Sequence, residues 1–281
     1  MDPSKKNTYI IAAVAFVAIL LGIFFLFIFK RGPHQLKKED TSGDVKQLSE
    51  IELTKRPFVT LTPTPEGAEV TISIENMTDF DRIEYELIYQ ADNPTIAGEK
   101  IQRGAAGSDV NTKDQKYKKS VLLGTASRGV RSPDRGIVDA KLVLHCFKGD
   151  TEYQSETKWF LEEIGARQVT LKDDSGNLQI DVPAFGKSYW AILADTVGIP
   201  PKYSFDPKNV STPIYGVFSV APALTKAAPL TIKLNQSASN ADLYAYSRQD
   251  DSYKKLTSKL SGSSLTADVT NLDTFVVVAP K

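Results

Sequence analysis

Lys141-Leu142-Val143-Leu144-His145-Cys146-Phe147, then Lys148-Gly149-Asp150, then Glu152 to Phe160, is the stretch that decides the fold. On a strand, successive side chains point to opposite faces. Leu142, Leu144 and Cys146 therefore share one face, and Val143, His145 and Phe147 the other. The Gly-containing turn returns the chain as a second alternating run, which is the pattern of a β-hairpin. Upstream, Ala68 to Ile74 alternates with Val70, Ile72 and Ile74 on one face, and Ile83 to Tyr89 does so with Ile83, Tyr85, Leu87 and Tyr89. Short period-two runs separated by turn signals predict an all-β protein of sandwich type.

Downstream of Gly165 the pattern repeats. Strands are expected over Gln168–Leu171, Leu178–Val182, Ser188–Leu193, Gly216–Val220, Leu230–Leu234 and Leu243–Tyr246, then over Tyr253–Leu256, Leu265–Val269 and Phe275–Ala279. Asp173-Asp174-Ser175-Gly176-Asn177 and Arg248-Gln249-Asp250-Asp251 supply turn chemistry between them. Prolines 200, 201, 207 and 213 predict an irregular crossing segment or an edge. Two tandem β-sandwich domains are expected, over residues 57–164 and 165–281. No helical period of useful length is present after residue 56.

The N-terminus is of another kind. After a short tail, residues 1–8, the 21 residues Tyr9 to Phe29 carry no charge. As a helix they span about 30 Å, the thickness of a bilayer's hydrocarbon core. The run is longer than the apolar part of a cleaved signal and ends in Phe27-Ile28-Phe29-Lys30-Arg31 without a small-x-small site. A single uncleaved transmembrane helix over residues 9–29 is expected, with the lipid bilayer as its partner. Lys30, Arg31, Lys37 and Lys38 outnumber Lys5 and Lys6, which taken alone favours a cytoplasmic C-terminal side. The plan of a short tail before long β domains favours export, so those domains are expected to be extracytoplasmic, at the cell membrane. Residues 30–56 are polar and mixed in charge, the composition of a tether, with a short helix conceivable over Asp44 to Leu53.

Charge excludes one class of partner. Lys plus Arg and Asp plus Glu each number 34, and beyond residue 30 the balance is 31 to 33. Such a chain has no basic face of the kind that grips nucleic acid. The local exception lies between Gly98 and Gly136. There Lys100, Arg103, Lys113, Lys116, Lys118, Lys119, Arg128, Arg131 and Arg135 outnumber four acidic residues by five. They are the candidate contacts for an anionic surface, read as a long loop holding one apolar run, Val121-Leu122-Leu123.

Catalytic chemistry is sparse. The chain has two His and one Cys, and the adjacent His145 and Cys146 point to opposite faces, so they form no nucleophile–base dyad and share no metal. Gly186-Lys187-Ser188 lacks the leading glycine of a phosphate loop, because residue 181 is Asp, and it reads as a hairpin turn. Thr125-Ala126-Ser127-Arg128-Gly129 lacks the first glycine of a nucleophile elbow. Asp79/Asp81, Asp173/Asp174 and Asp250/Asp251 lack the spacing of a calcium loop and read as turn residues. Trp159 and Trp190 read as core rather than as carbohydrate platforms. Three glycosylation sequons begin at Asn76, Asn209 and Asn235. No cofactor, metal site or catalytic residue is expected.

One resemblance adds to this reading. Tyr215-Gly216-Val217-Phe218, Pro229 to Leu234, Leu243-Tyr244-Ala245-Tyr246 with Tyr253 to Leu256, and the closing Asp273-Thr274-Phe275-Val276-Val277-Val278 resemble the ZU5-like sandwich modules of surface and scaffold proteins. The resemblance covers under a quarter of the chain and implies an Ig-like or ZU5-like sandwich. Some such modules cleave themselves at His-Phe-Ser; the closing strand here has neither His nor Ser, so that property is not carried over. The anchor and first domain resemble N-terminally anchored bacterial envelope proteins. Together these features predict a non-enzymatic, surface-exposed protein for adhesion, scaffolding or envelope assembly, with a protein or cell-wall polymer as partner. The alternative is a membrane-tethered, carboxylate-based hydrolase of polysaccharide or peptide.

Overall fold

The computed structural model describes residues 45–280, and the expected transmembrane helix lies outside them. Among the described residues no helix is long and apolar enough to cross a membrane. The chain is all-β. In its first half the strands are β1 (Val45–Gln47), β2 (Phe58–Pro63), β3 (Glu69–Glu75), β4 (Arg82–Asp92), β5 (Lys100–Val110), β6 (Lys116–Leu122), β7 (Gly124–Ser127), β8 (Val130–Pro133), β9 (Val138–Lys148) and β10 (Thr151–Ile164). In the second half they are β11 (Val169–Lys172), β12 (Leu178–Val182), β13 (Tyr189–Thr196), β14 (Val210–Ser219), β15 (Ala228–Lys233), β16 (Asp242–Ser247), β17 (Ser252–Leu256), β18 (Ser258–Ser261), β19 (Ser264–Val269) and β20 (Thr274–Val278).

The deciding hairpin forms as its sequence predicts. Lys148 faces Thr151 across the Gly149-Asp150 turn, and the antiparallel register runs on to Ala140 opposite Trp159. Gly149 takes φ 57, the left-handed conformation such a turn favours and glycine adopts without penalty. Cys146 is fully buried while His145 turns to the other face.

Around this hairpin a ten-stranded sheet assembles in the order β17-β16-β20-β14-β13-β10-β9-β4-β5, with β1 pairing β10 in parallel. Smaller sheets of five strands (β11-β12-β15-β19-β18) and three strands (β2-β3-β6) complete the layers, and β7 and β8 form a separate two-stranded arm. The large sheet passes without a break from one half of the chain to the other through β10 and β13, where Trp159 faces Ala194 and Ile164 faces Tyr189.

Alternation along β13 shows where the small sheets sit. Ile192 and Ala194 join the buried cluster that contains Val70, Ile72 and Ile74 of the three-stranded sheet. Ala191 and Leu193 join the cluster that contains Leu178, Ile180 and Leu230 of the five-stranded sheet. Neighbours on a strand point oppositely, so the two small sheets cover opposite faces of the large one. A third apolar cluster backs the second half: Ile199, Ile214, Val276 and Val278 pack with Tyr203, Phe205 and Tyr253.

Several local expectations are revised. Asp44 to Leu53 is no α-helix among its described residues: Val45–Gln47 is a strand and Leu48–Glu50 one turn of 3-10 helix, with Leu48 buried. The Gly98–Gly136 loop is largely β5, β6, β7 and β8. Gly186-Lys187-Ser188 is no hairpin turn, because β12 pairs with β11 and β15 while β13 pairs with β10 and β14. Pro213 lies inside β14, where a register shift between Ser211 and Tyr215 accommodates a residue that cannot donate to the ladder.

Candidate functional site

The face of the large sheet that the three-stranded sheet leaves uncovered carries the site. Register places Lys141, Val143, His145 and Phe147 of β9 on this face, beside Glu152, Gln154, Glu156 and Lys158 of β10. Ile88, Glu86, Glu84 and Arg82 of β4 continue it. It is a polar face with few apolar members, and Arg82 lies 3.8 Å over the Phe147 ring. Where it meets the five-stranded sheet, the turn after β11 rises as a wall and a groove forms. The groove comprises two adjoining cavities of about 390 and 350 Å³ that share Glu156, Lys158, Phe160 and Asp174.

Its electrostatics follow from the register. Lys141 stands directly opposite Lys158, a pairing of like charges that is unfavourable on its own. Each lysine has a counter-ion. Lys141 Nζ lies 2.9 Å from Glu156, two residues along β10 from Lys158, and Lys158 Nζ lies 2.9 Å from Asp174, which the β11–β12 turn contributes. Asp139 enters at a β9 bulge, with φ 49; bulges re-aim side chains.

The remaining carboxylates differ in kind. Asp173 is consumed by its own turn, accepting from the Leu178 backbone N–H at 2.7 Å and from the Ser175 hydroxyl. Asp195, on β13, lines the second cavity, and burial together with the nearby Asp173 charge pushes its carboxyl up to about 6. A carboxyl so raised holds its proton into mildly acidic solution. The groove can thus offer two ion pairs, an aromatic edge and one protonatable carboxyl.

The nine basic residues do not join this site, except that Lys100 and Arg103 share β5 with Gln102 of the groove wall. Five of them meet acidic partners: Lys100 with Asp92 at 2.8 Å, Arg103 with Asp134 at 3.7 Å, Lys119 with Asp109 at 3.1 Å, Lys116 with Glu75 and Arg131 with Glu69. Lys113 follows β5 in the turn, Lys118 lies on β6, Arg128 caps the β7–β8 turn with φ 49, and Arg135 leads into β9. Val130, beside that turn, is 70% exposed. The local excess of charge is therefore spread over several elements and mostly compensated.

Trp159 is core, 1% exposed. Trp190 is half-buried against Gly67. Asn76 spends its side-chain N–H groups on the Thr54 and Arg56 carbonyls at 2.8 and 2.9 Å, so a glycan there would remove both bonds. Among the described residues no group of three or more His, Cys, Asp or Glu is placed to hold a metal ion. Glu156 and Asp195 were invisible as site residues in the sequence, whereas the Asp173-Asp174 turn was visible but without its partners. Comparison with protein-family models and with curated proteins finds no match to this chain.

Proposed function

We propose that the chain is a single-pass, membrane-anchored display protein that holds a β-sheet body on the outer side of the membrane and binds its partner through the open face and its groove. The observation that carries the reading is the unbroken ten-stranded sheet. It ties the halves, read as two tandem sandwiches, through β10 and β13 instead of through a linker, as suits a rigid presenting surface. The uncharged run Tyr9 to Phe29 supports the anchor, and residues 30–44 support a tether. Glu156 and Asp174 each sit against a lysine, an arrangement suited to recognising charged or strongly polar groups.

Full-length protein expressed in cells tests it. It is expected in the membrane fraction after alkaline washing, and protease added to intact cells is expected to remove the β body. Recovery in the soluble fraction, or protection until lysis, overturns the reading.

One observation favours the hydrolase alternative. Asp195 has the raised carboxyl of a general acid and stands near Asp173 and Asp174. Turnover of a polysaccharide or peptide by the full chain, abolished by Asp195→Asn, would establish that reading in place of pure display.

A further inference from the structure

A second cleft, which shares no lining residue with the groove, lies at the end of the second half. The start of β14, the Leu234–Ser239 segment between β15 and β16, and the chain's last described residues enclose about 750 Å³. This volume falls within the ordinary range of small-ligand sites. Its lining is unusual in a chain of which 24% is charged: among the described residues that line it, none is ionisable. Asn209, Ser211, Thr212, Asn235, Gln236 and Ser237 offer amides and hydroxyls, and Val210, Leu234 and Pro280 offer apolar surface between them.

The walls are tied to one another. The Ala279 N–H donates to the Asn209 carbonyl at 2.8 Å, closing the chain end onto the start of β14. The Asn235 side-chain N–H donates to the Thr212 carbonyl at 3.1 Å, bridging one wall to the other. The Leu234 N–H donates to the Ser263 carbonyl at 2.7 Å, which fixes the base of the Leu234–Ser239 segment. The side chains of Asn209, Ser211, Gln236 and Ser237 make no hydrogen bond to other described residues and are left to face a ligand or solvent.

The chemistry of the lining selects the ligand class. An ion would lose water here and gain no counter-charge from the described lining. A wholly apolar ligand would strand the amides and hydroxyls it covered. A peptide strand takes its affinity from a regular row of backbone donors and acceptors along a sheet edge, whereas this lining is an irregular set of side-chain groups. A molecule with many neutral hydroxyls and small apolar C–H patches meets every requirement. We propose that this cleft is a binding site for an uncharged oligosaccharide. The proposal does not depend on the groove.

The test uses the full chain in detergent micelles and saturation-transfer NMR with three neutral probes: cellotetraose, maltotetraose and tetra-N-acetylchitotetraose. At least one is expected to receive saturation. Asn209→Ala with Gln236→Ala is expected to weaken that probe at least tenfold, and Ser237→Trp, at an exposed position, to block it with an unchanged unfolding midpoint. Lys158→Ala, in the groove, is expected to leave it unaltered. Three results overturn the proposal: no transfer to any probe, binding that survives both cleft variants, or binding lost in Lys158→Ala but not in Ser237→Trp. Binding of a neutral Asn/Gln/Ser/Gly decapeptide, blocked by Ser237→Trp while the sugars stay inert, reassigns the cleft to peptide and overturns it as well. Failure of the anchor or export experiment leaves these outcomes unchanged, so the two proposals fail separately.

Discussion

Arg248 donates from Nη1 to the Thr62 hydroxyl at 2.6 Å and to Thr60 at 3.3 Å, bonding the β16–β17 turn to β2 across 186 and 188 residues of chain. Its guanidinium also lies 5.3 Å from the centre of the Phe218 ring. Phe58 and Tyr246 pack edge to face beside it at 5.9 Å. One side chain thus braces the three-stranded sheet against the far half of the large one. Burial lowers the Arg248 pKa from its ordinary value, opposed by the charges of Asp273 and Glu75.

Replacing this side chain tests the brace. Arg248→Met keeps much of the stem but strands two threonine hydroxyls, and Asp273 loses the cation that favours its ionised form. The cost is expected at about 1–3 kcal/mol in urea unfolding. Arg248→Lys is expected to recover little, because a single ammonium cannot reproduce the planar stacking and the fork of donors. Full recovery by lysine would show that charge alone matters there.

Asp195 predicts a pH dependence of definite sign. Its folded carboxyl is raised to about 6 from an ordinary 3.8, first by burial and then by Asp173. Between those values the folded protein binds more protons than the unfolded chain, so stability falls as pH rises from about 4 to about 6. Asp195→Asn removes that loss. The variant is expected to be more stable than the parent at pH 7.5 by about 1–3 kcal/mol, with the gain fading toward pH 4. Asp273, raised to about 6 in the same direction, leaves a residual slope in both proteins. Unfolding midpoints of parent and variant across pH 4–8 measure the difference, and a gain that persists at pH 4 would contradict the assigned cause.

Cys146 is fully buried, and burial pushes its thiol up to about 12. Thiolate is the reactive form, so the native protein is expected to resist maleimide and iodoacetamide at pH 8. Labelling should appear only on unfolding and follow its denaturant midpoint. Stoichiometric labelling of the folded protein would show that the β9 core opens locally.

What could be read from the sequence and what could not divides along physical lines. The turn end of the β9–β10 hairpin was legible to within a residue, because one face is apolar and a short turn sets the register, while β9 begins three residues before and β10 ends four residues beyond the expected runs. β6 was not, because in Lys116-Tyr117-Lys118-Lys119 only Tyr117 turns inward, its hydroxyl 3.2 Å from that of Tyr85, and the rest meets solvent or carboxylates. β5 was hidden for another reason: Gly107 is small where the Tyr85 ring lies over the strand, so no apolar alternation was available. The sharing of one sheet between halves depends on Trp159 facing Ala194, a long-range register that no local pattern encodes. The groove inherits that limit. Glu156 and Asp174 are 18 residues apart and come to line one groove, paired with Lys141 and Lys158 respectively, only once the five-stranded sheet has docked.

Gly67 and Trp190 offer the sharpest test of how the three-stranded sheet docks on β13. Gly67 ends the β2–β3 turn with φ 70, and a Cβ there would fall 2.6 Å from the Trp190 ring, contributed by β13. Gly67→Ala therefore carries two costs, a left-handed backbone of roughly 1 kcal/mol and a collision with the indole. Trp190→Ala has its own cost, about 3 kcal/mol or less because the ring is only half-buried, but it clears the space. In the Trp190→Ala background Gly67→Ala is expected to cost only the backbone share. The double-mutant cycle should then show a coupling of about 1–2 kcal/mol, as contacting residues do and independent ones do not. Additive costs would mean that the turn and β13 are not in contact in solution, and the packing of the three-stranded sheet against the shared strand would have to be redrawn.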